Sequence, residues 1–286
     1  MKKSLIALLL LLSALCAQAQ IRVMTSADLV KGLPCDKVRF RIAYEMTFVN
    51  DTLRRPYHPL KESMILEIGS SVSLFYSYMS FHLDSIFADD VAKGASNAVI
   101  NEHLQKQESG KVSWKLYDNY PKKGTSSFLD GLGSERYCCV EKISVPEWKI
   151  NTDSTKMILG YTCRMATTVY KGRKWCAWYA EEIPIAQGPW KLGGLPGLIL
   201  RAYDNQCQFS FEAVGMEQVK RDINILYKGE KYEPIDRKVL DKLYARYYAD
   251  PVGYITNNPN IKLEITDGKG NRVSNPKSVP YNSIER

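Results

Sequence analysis

Histidine is scarce in this 286-residue sequence: His58, His82 and His103 are all there is, and no two share a short motif. Also missing are CxxC, HExxH, GxSxG, a glycine-rich phosphate loop and calcium-loop spacing. The patterns that mark zinc, serine-hydrolase, nucleotide and calcium chemistry are therefore absent. No metal and no cofactor is expected. Long apolar runs are lacking too, except between Leu5 and Leu12, which follow Lys2 and Lys3 and precede the small residues Ala17 and Ala19. That run is short of the roughly 20 residues needed to span a bilayer. It has the layout of a secretory signal peptide over residues 1–19, cleaved after Ala19. Cys16 would be a lipid acceptor only behind a small residue, and Leu15 stands there. The expectation is an exported protein, periplasmic or extracellular, with no transmembrane segment.

Strong charge segregation is likewise absent. The net charge of +8 loses the two lysines of the signal, and the remaining basic residues are scattered. Without a basic stripe, nucleic-acid binding is not expected. Cleavage leaves roughly 265 residues, ample for a real hydrophobic core. Six cysteines remain: Cys35, Cys138, Cys139, Cys163, Cys176 and Cys207. An even count in an exported chain suggests disulfides, with the pairing left open.

What the sequence does contain is alternation. From Val38 to Phe48 every second residue is apolar, the period of a half-buried strand. Further strands are expected at residues 63–68, 74–78, 112–117, 137–145, 148–150, 157–170, 175–180, 198–203 and 206–214. Residues 122–127 are rich in lysine, glycine and serine and are expected to form a loop. Lys171-Gly172 joins a hairpin, and placing Tyr170 opposite Arg173 puts Cys163 against Ala180 and Cys176 against Thr167. That register argues against a Cys163–Cys176 bridge. Two main helices are expected, at residues 81–107, weakened by Gly94, and at residues 235–248, stopped by Asp250-Pro251. The fold class is thus β-rich α+β: a single antiparallel sheet, curved or half-barrel, with two main helices. One domain over residues 20–286 is expected, with an extended C-terminal tail from about residue 257.

Residues 183–200 hold three prolines and four glycines yet are strongly apolar. Such a segment cannot be a continuous helix or ladder, so it is expected to be a packed loop. Its Gly194-Leu195-Pro196-Gly197-Leu198-Ile199 spells the name of the GLPGLI family of exported Bacteroidetes proteins, which the chain resembles along most of its length. The resemblance also rests on Ile158-Leu159-Gly160-Tyr161-Thr162-Cys163, Gly172-Arg173, Ala177-Trp178-Tyr179, Ile183-Pro184-Ile185, Gly188-Pro189-Trp190-Lys191 and the ending Pro280-Tyr281-Asn282-Ser283-Ile284-Glu285. The Cys138-Cys139 pair departs from the family pattern. The resemblance implies an envelope protein without an established catalytic activity.

Binding is therefore favoured over catalysis. The expected site is the concave side of the sheet near Trp178, Trp190 and the loop Gly194, Leu195, Pro196, Gly197, Leu198 and Ile199. Its expected occupant is a hydrophobic or envelope-derived ligand, or an outer-membrane protein. The alternatives are a hydrolase using carboxylates in a cleft, with Glu135, Glu181, Glu182 and the His82/Asp84 neighbours as weak candidates, and a purely structural or assembly role. For the loop itself, tight buried packing alone would demand these glycines and prolines.

Overall fold

The structure is a computed structural model that describes residues 32–108, 110–257 and 278–286. Residues 1–19, where a signal peptide is expected, lie outside the described residues. The strands are β1 (Leu33–Lys37), β2 (Phe40–Phe48), β3 (Leu60–Ile68), β4 (Ser73–Ser77), β5 (Lys115–Asp118), β6 (Thr125–Leu132), β7 (Glu135–Lys142), β8 (Lys149–Ile158), β9 (Tyr161–Tyr170), β10 (Arg173–Ala180), β11 (Leu198–Asp204), β12 (Phe209–Gln218), β13 (Asn224–Tyr227) and β14 (Glu233–Pro234). The helices are α1 (Tyr78–Ala92), α2 (Asn97–Gln105), α3 (Arg237–Ala249) and α4 (Pro251–Thr256).

The protein is β-rich with few helices, but the single-sheet expectation is corrected. A twelve-stranded sheet, ordered β14-β7-β6-β5-β4-β3-β2-β12-β11-β10-β9-β8, is accompanied by a two-stranded sheet of β1 and β13. Pairing is antiparallel except for β14, which joins β7 in parallel. Val38 and Arg39 lie outside both strands, so β2 carries the alternation only from Phe40 onward.

The large sheet cannot be flat. In its order β7 and β8 stand ten steps apart, roughly 48 Å at the usual strand spacing. Residues 143–148 join them directly, a reach of about 25 Å at most. The sheet must coil, and cross-contacts record the coil: Phe75 of β4 meets Phe211 of β12 at 6.0 Å, and the Tyr170 hydroxyl of β9 donates to the Ser144 carbonyl at 2.7 Å. It does not close, because its edge strands β14 and β8 are not hydrogen-bonded neighbours.

The inner face carries the main core, including Tyr44, Met64, Phe75, Trp175, Tyr179, Leu198 and Phe211. Strands β4 to β7 are buried on both sides. Leu74, Tyr76, Tyr117, Leu129 and Cys138 face outward into a second cluster closed by Val38, Val72 and Ile225. The small β1–β13 sheet supplies that cover.

The expected single helix at residues 81–107 is two. Gly94 adopts φ +71°, its N–H bonds to the Val91 carbonyl, and the Ala95 N–H bonds to the Asp90 carbonyl. This is a Schellman ending, in which a left-handed glycine satisfies the last carbonyls and stops the helix. Ser96 then caps α2, accepting from Val99 N–H at 3.4 Å. The second expected helix is α3, with Leu240 and Tyr244 on its buried side, and Pro251 starts α4 after the Asp250 cap.

The hairpin register is Tyr170 opposite Arg173, Cys176 opposite Thr167 and Ala180 opposite Cys163. All six cysteines among the described residues are free thiols, so the disulfide expectation is not met. Burial pushes the Cys139 and Cys163 thiols up to about 11, which keeps them protonated and inert.

Candidate functional site

The expected loop site lies largely in the core, with Gly194 and Pro196 alone exposed among its residues 194–199. Trp190, Leu195, Leu198 and Ile199 are buried, and the Trp190 ring packs against Tyr170 at 5.9 Å and Trp175 at 5.6 Å. The backbone of the loop bonds largely to itself, with Gly194 N–H to the Ala186 carbonyl at 3.1 Å and Ile199 N–H to the Gln187 carbonyl at 3.0 Å. Tyr44 and Trp148 fasten it from outside, donating to the Ile199 carbonyl at 2.7 Å and the Gly193 carbonyl at 2.8 Å. A Cβ on Gly197 would lie 2.1 Å from the Ala180 carbonyl oxygen, and one on Gly194, at φ +84°, would lie 2.3 Å from Val145. Trp178 sits half-buried on β10, on the opposite face from Trp175 by strand alternation. Strand alternation thus sets Trp178 apart from the Trp175–Trp190 pair, and the cavity of about 480 Å³ that the loop does border is lined by Pro184 to Gln187 and not by Gly194 to Ile199.

The segments that carried the family resemblance do converge, on a clasp. Arg173, 3% exposed, donates to Asp204 at 2.9 Å, to Gln208 at 3.1 Å, to Asn282 at 2.8 Å and to the carbonyls of Ile284 and Ser283 at 2.9 and 2.5 Å. Lys191 bonds to Glu285 at 2.6 Å and to Glu141 at 2.9 Å, and Arg237 bonds to Glu141 at 2.9 Å. Residues 278–286, within the expected tail, have no helix or strand but are pinned across the inner side of the sheet. Little space remains beneath them: the cavity there is about 110 Å³.

The larger cavity is on the outer face. It measures about 670 Å³ and lies between α1, strands β3 to β5 and β13. Its floor follows from register. Ile65 pairs with Tyr76, Glu67 with Leu74, Leu74 with Tyr117, and Tyr76 with Lys115, so all six share the outward face. The roof is one stripe of α1, Phe81, Asp84, Ser85 and Ala88, at the spacing that places residues on one helical face. Ser77 caps that helix by accepting from Ser80 N–H at 3.1 Å. Ile223 and Leu226 form the side wall, and Tyr117 donates to the Leu226 carbonyl at 2.9 Å.

Around this apolar interior stand paired charges. Arg41 bonds to Glu67 and to Glu217, both at 2.8 Å, and Lys115 pairs with Asp84 at 2.9 Å. Phe81 and Tyr78 at the mouth are 40% and 46% exposed, an apolar rim open to water. Of these residues the sequence pointed only to Phe81 and Asp84, and to neither for this cavity. The missed signal was the conflict in β4, where Ser73–Ser77 is buried at every position while one face alone belongs to the main core.

The weak catalytic candidates are occupied and dispersed. Glu181 pairs with Arg164 at 3.2 Å, Glu182 accepts from Thr162 N–H at 3.2 Å, Glu135 accepts from the Tyr137 and Tyr254 hydroxyls, and His82 stacks on Tyr78. Among the described residues no group of three or more His, Cys, Asp or Glu is placed to hold a metal ion. No described helix is long and apolar enough to cross a membrane.

The family model described as N-glycanase peptide, N-terminal domain, matches residues 136–244. Two solved structures, described as PNGF-II in a P21 and in a C2 space group, superpose with TM-scores of 0.49 and 0.48 at 16% and 17% identity. Each alignment covers 74% of this chain, which spans 34% and 33% of theirs, about a third of their length. No curated protein matches the chain.

Proposed function

We propose that the protein is exported to the cell envelope, belongs with the GLPGLI proteins it resembles, and binds an apolar ligand in the outer cavity beneath α1. The observation that carries this reading is the cavity itself. It is about 670 Å³, within the roughly 300–1,000 Å³ of small-molecule sites, and is lined by Ile65, Leu74, Tyr76, Phe81, Tyr117 and Leu226. The expected ligand class is kept, and the proposed site moves from the Trp178, Trp190 and Gly194-to-Ile199 region to the cavity beneath α1. The loop is then a brace that keeps the coiled sheet in shape. Purification from the native envelope followed by mass spectrometry of co-purifying small molecules tests the reading. Ala88→Trp, which fills the cavity from α1, is expected to lose the bound molecule while the far-ultraviolet circular dichroism stays unchanged. A ligand that stays bound in the filled variant would place the site elsewhere.

A second reading, a hydrolase acting on glycans, is favoured by the match of residues 136–244 to an N-glycanase N-terminal domain. Within that span four of the acidic side chains, Glu141, Glu181, Glu182 and Asp204, are engaged in ion pairs or backbone bonds. Release of glycan from a glycopeptide, lost on replacing one carboxylate, would favour this reading over ligand carriage.

A further inference from the structure

The lining of the α1 cavity has a charge imbalance at one point. Arg41 is satisfied by Glu67 and Glu217, and Lys115 by Asp84; Asp89 is satisfied by Lys93 at 2.5 Å. Lys228 is different. It lines the cavity with its ammonium 5.8 Å from the centre of the Phe81 ring, and it has no ion-pair partner among the described residues. Asp84, the carboxylate that influences it most, is already committed to Lys115. Two ammonium groups and one carboxylate therefore share this end of the cavity, a local surplus of one positive charge. Burial, reinforced by neighbouring Lys115 and opposed by Asp84, pulls the Lys228 ammonium below its ordinary range. A cation partly removed from water without a counter-charge is a standing cost that a bound anion would relieve.

We propose that the cavity takes a single-chain anionic amphiphile, with its apolar chain between Phe81, Ala88 and the Leu74–Tyr76–Tyr117 floor and its carboxylate, sulfate or phosphate against Lys228. This rests on the reading that the α1 cavity is a ligand site and adds the chemistry of the ligand. The apolar floor and roof account for the chain, and Lys228 at the β13 end accounts for the head. The half-exposed Tyr78 and Phe81 rings give the chain a way in. A volume of about 670 Å³ holds one chain, and a two-chain lipid would leave one of its chains in water.

The test uses the full mature chain, decanoate and decanol, and isothermal titration at pH 7.5. Decanoate is expected to bind about tenfold more tightly than decanol, the scale of one charge-assisted contact. Lys228→Gln should bring the two within about twofold of each other, and Lys228→Arg should keep the preference. Equal binding of decanoate and decanol by the wild-type protein, or a preference that survives in Lys228→Gln, overturns the anionic assignment and leaves the cavity reading intact. Absence of binding by either ligand overturns the cavity reading itself and the assignment with it.

Discussion

At the scale of single residues, two glycines test what the loop is for. An ideal Cβ on Gly197 meets the Ala180 carbonyl oxygen at 2.1 Å and its carbon at 2.6 Å, and these are backbone atoms held by the β10–β11 pairing. Gly197→Ala should therefore destabilise by about 3 kcal/mol or more, since overpacking against backbone cannot be relieved by a rotamer change. Gly215, at the bulge in β12, has nothing within 4 Å of its Cβ position. Gly215→Ala should stay within about 1 kcal/mol of wild type. Urea denaturation of both variants measures the contrast, and equal midpoints would show that the loop is not packed as described. Composition already pointed to a packed loop in residues 183–200, because prolines and glycines in an apolar setting leave few other solutions. Which glycine touches which backbone depends on β10 and β11 lying side by side, and no local pattern carries that information.

At the scale of elements, Arg173 sits at the start of β10 and holds two separated pieces of chain: the Asp204–Gln208 turn and residues 282–284. Its partner Asp204 also accepts from the N–H groups of Gln208 and Phe209, at 2.7 and 2.8 Å, so that carboxylate is fixed in place and 1% exposed. Arg173→Met leaves this buried charge without its cation and should cost about 3–5 kcal/mol. Arg173→Lys keeps the charge but loses the planar fork, and should recover only part of the loss. Hydrogen exchange should show faster exchange in residues 282–286 of both variants, whereas unchanged protection there would mean the clasp is held instead by Lys191 and by Lys171, which pairs with Glu285 at 3.3 Å. The hairpin register around this arginine was legible in the sequence, since a two-residue turn fixes every pair that follows. The helix break at Gly94 was half legible as a weak point. Strand β6 was not: Ser126 and Ser127 look like solvated loop residues, yet they are buried, and the Ser127 hydroxyl is satisfied by the Tyr120 carbonyl at 2.7 Å. The outer cavity was illegible for a related reason. Its floor, roof and wall come from residues 65 to 228, and it exists only once β13 and α1 lie over the outer face of β3 to β5.

At the scale of the whole molecule, Glu141 of β7 meets Lys191 of the 183–200 loop, Arg237 of α3 and Glu285 of the last residues at one seam, and their titration should shape stability as a function of pH. Glu141 is opposed by burial, but its bonds to Arg237 and the charge of Lys191 hold its carboxyl at about 2; Glu285 is lowered by the same two cations. A carboxylate with a depressed native pKa contributes stability in full above its unfolded value, and loses it as pH falls through the native one. For Glu141 that window runs from about 4.5 down to about 2. Asp118 behaves in the opposite sense. Burial, only partly offset by Lys191, raises its carboxyl to about 6 from 3.8, so its ionisation costs stability on the order of 2–3 kcal/mol above pH 6 and nothing below pH 3.8. Burial raises Asp130 and Asp241 in the same direction. Stability should therefore rise as pH falls from about 6.5 towards 4.5 and then collapse towards pH 2. Asp118→Asn mimics the protonated acid, so it should flatten the rise between pH 6.5 and 4.5 and be more stable than wild type at pH 7.5. Glu141→Gln should weaken the collapse below pH 4.5 and be less stable than wild type at neutral pH. Denaturant midpoints across the pH series decide the point: an Asp118→Asn profile parallel to wild type would mean that this carboxyl is not held out of water by the coil.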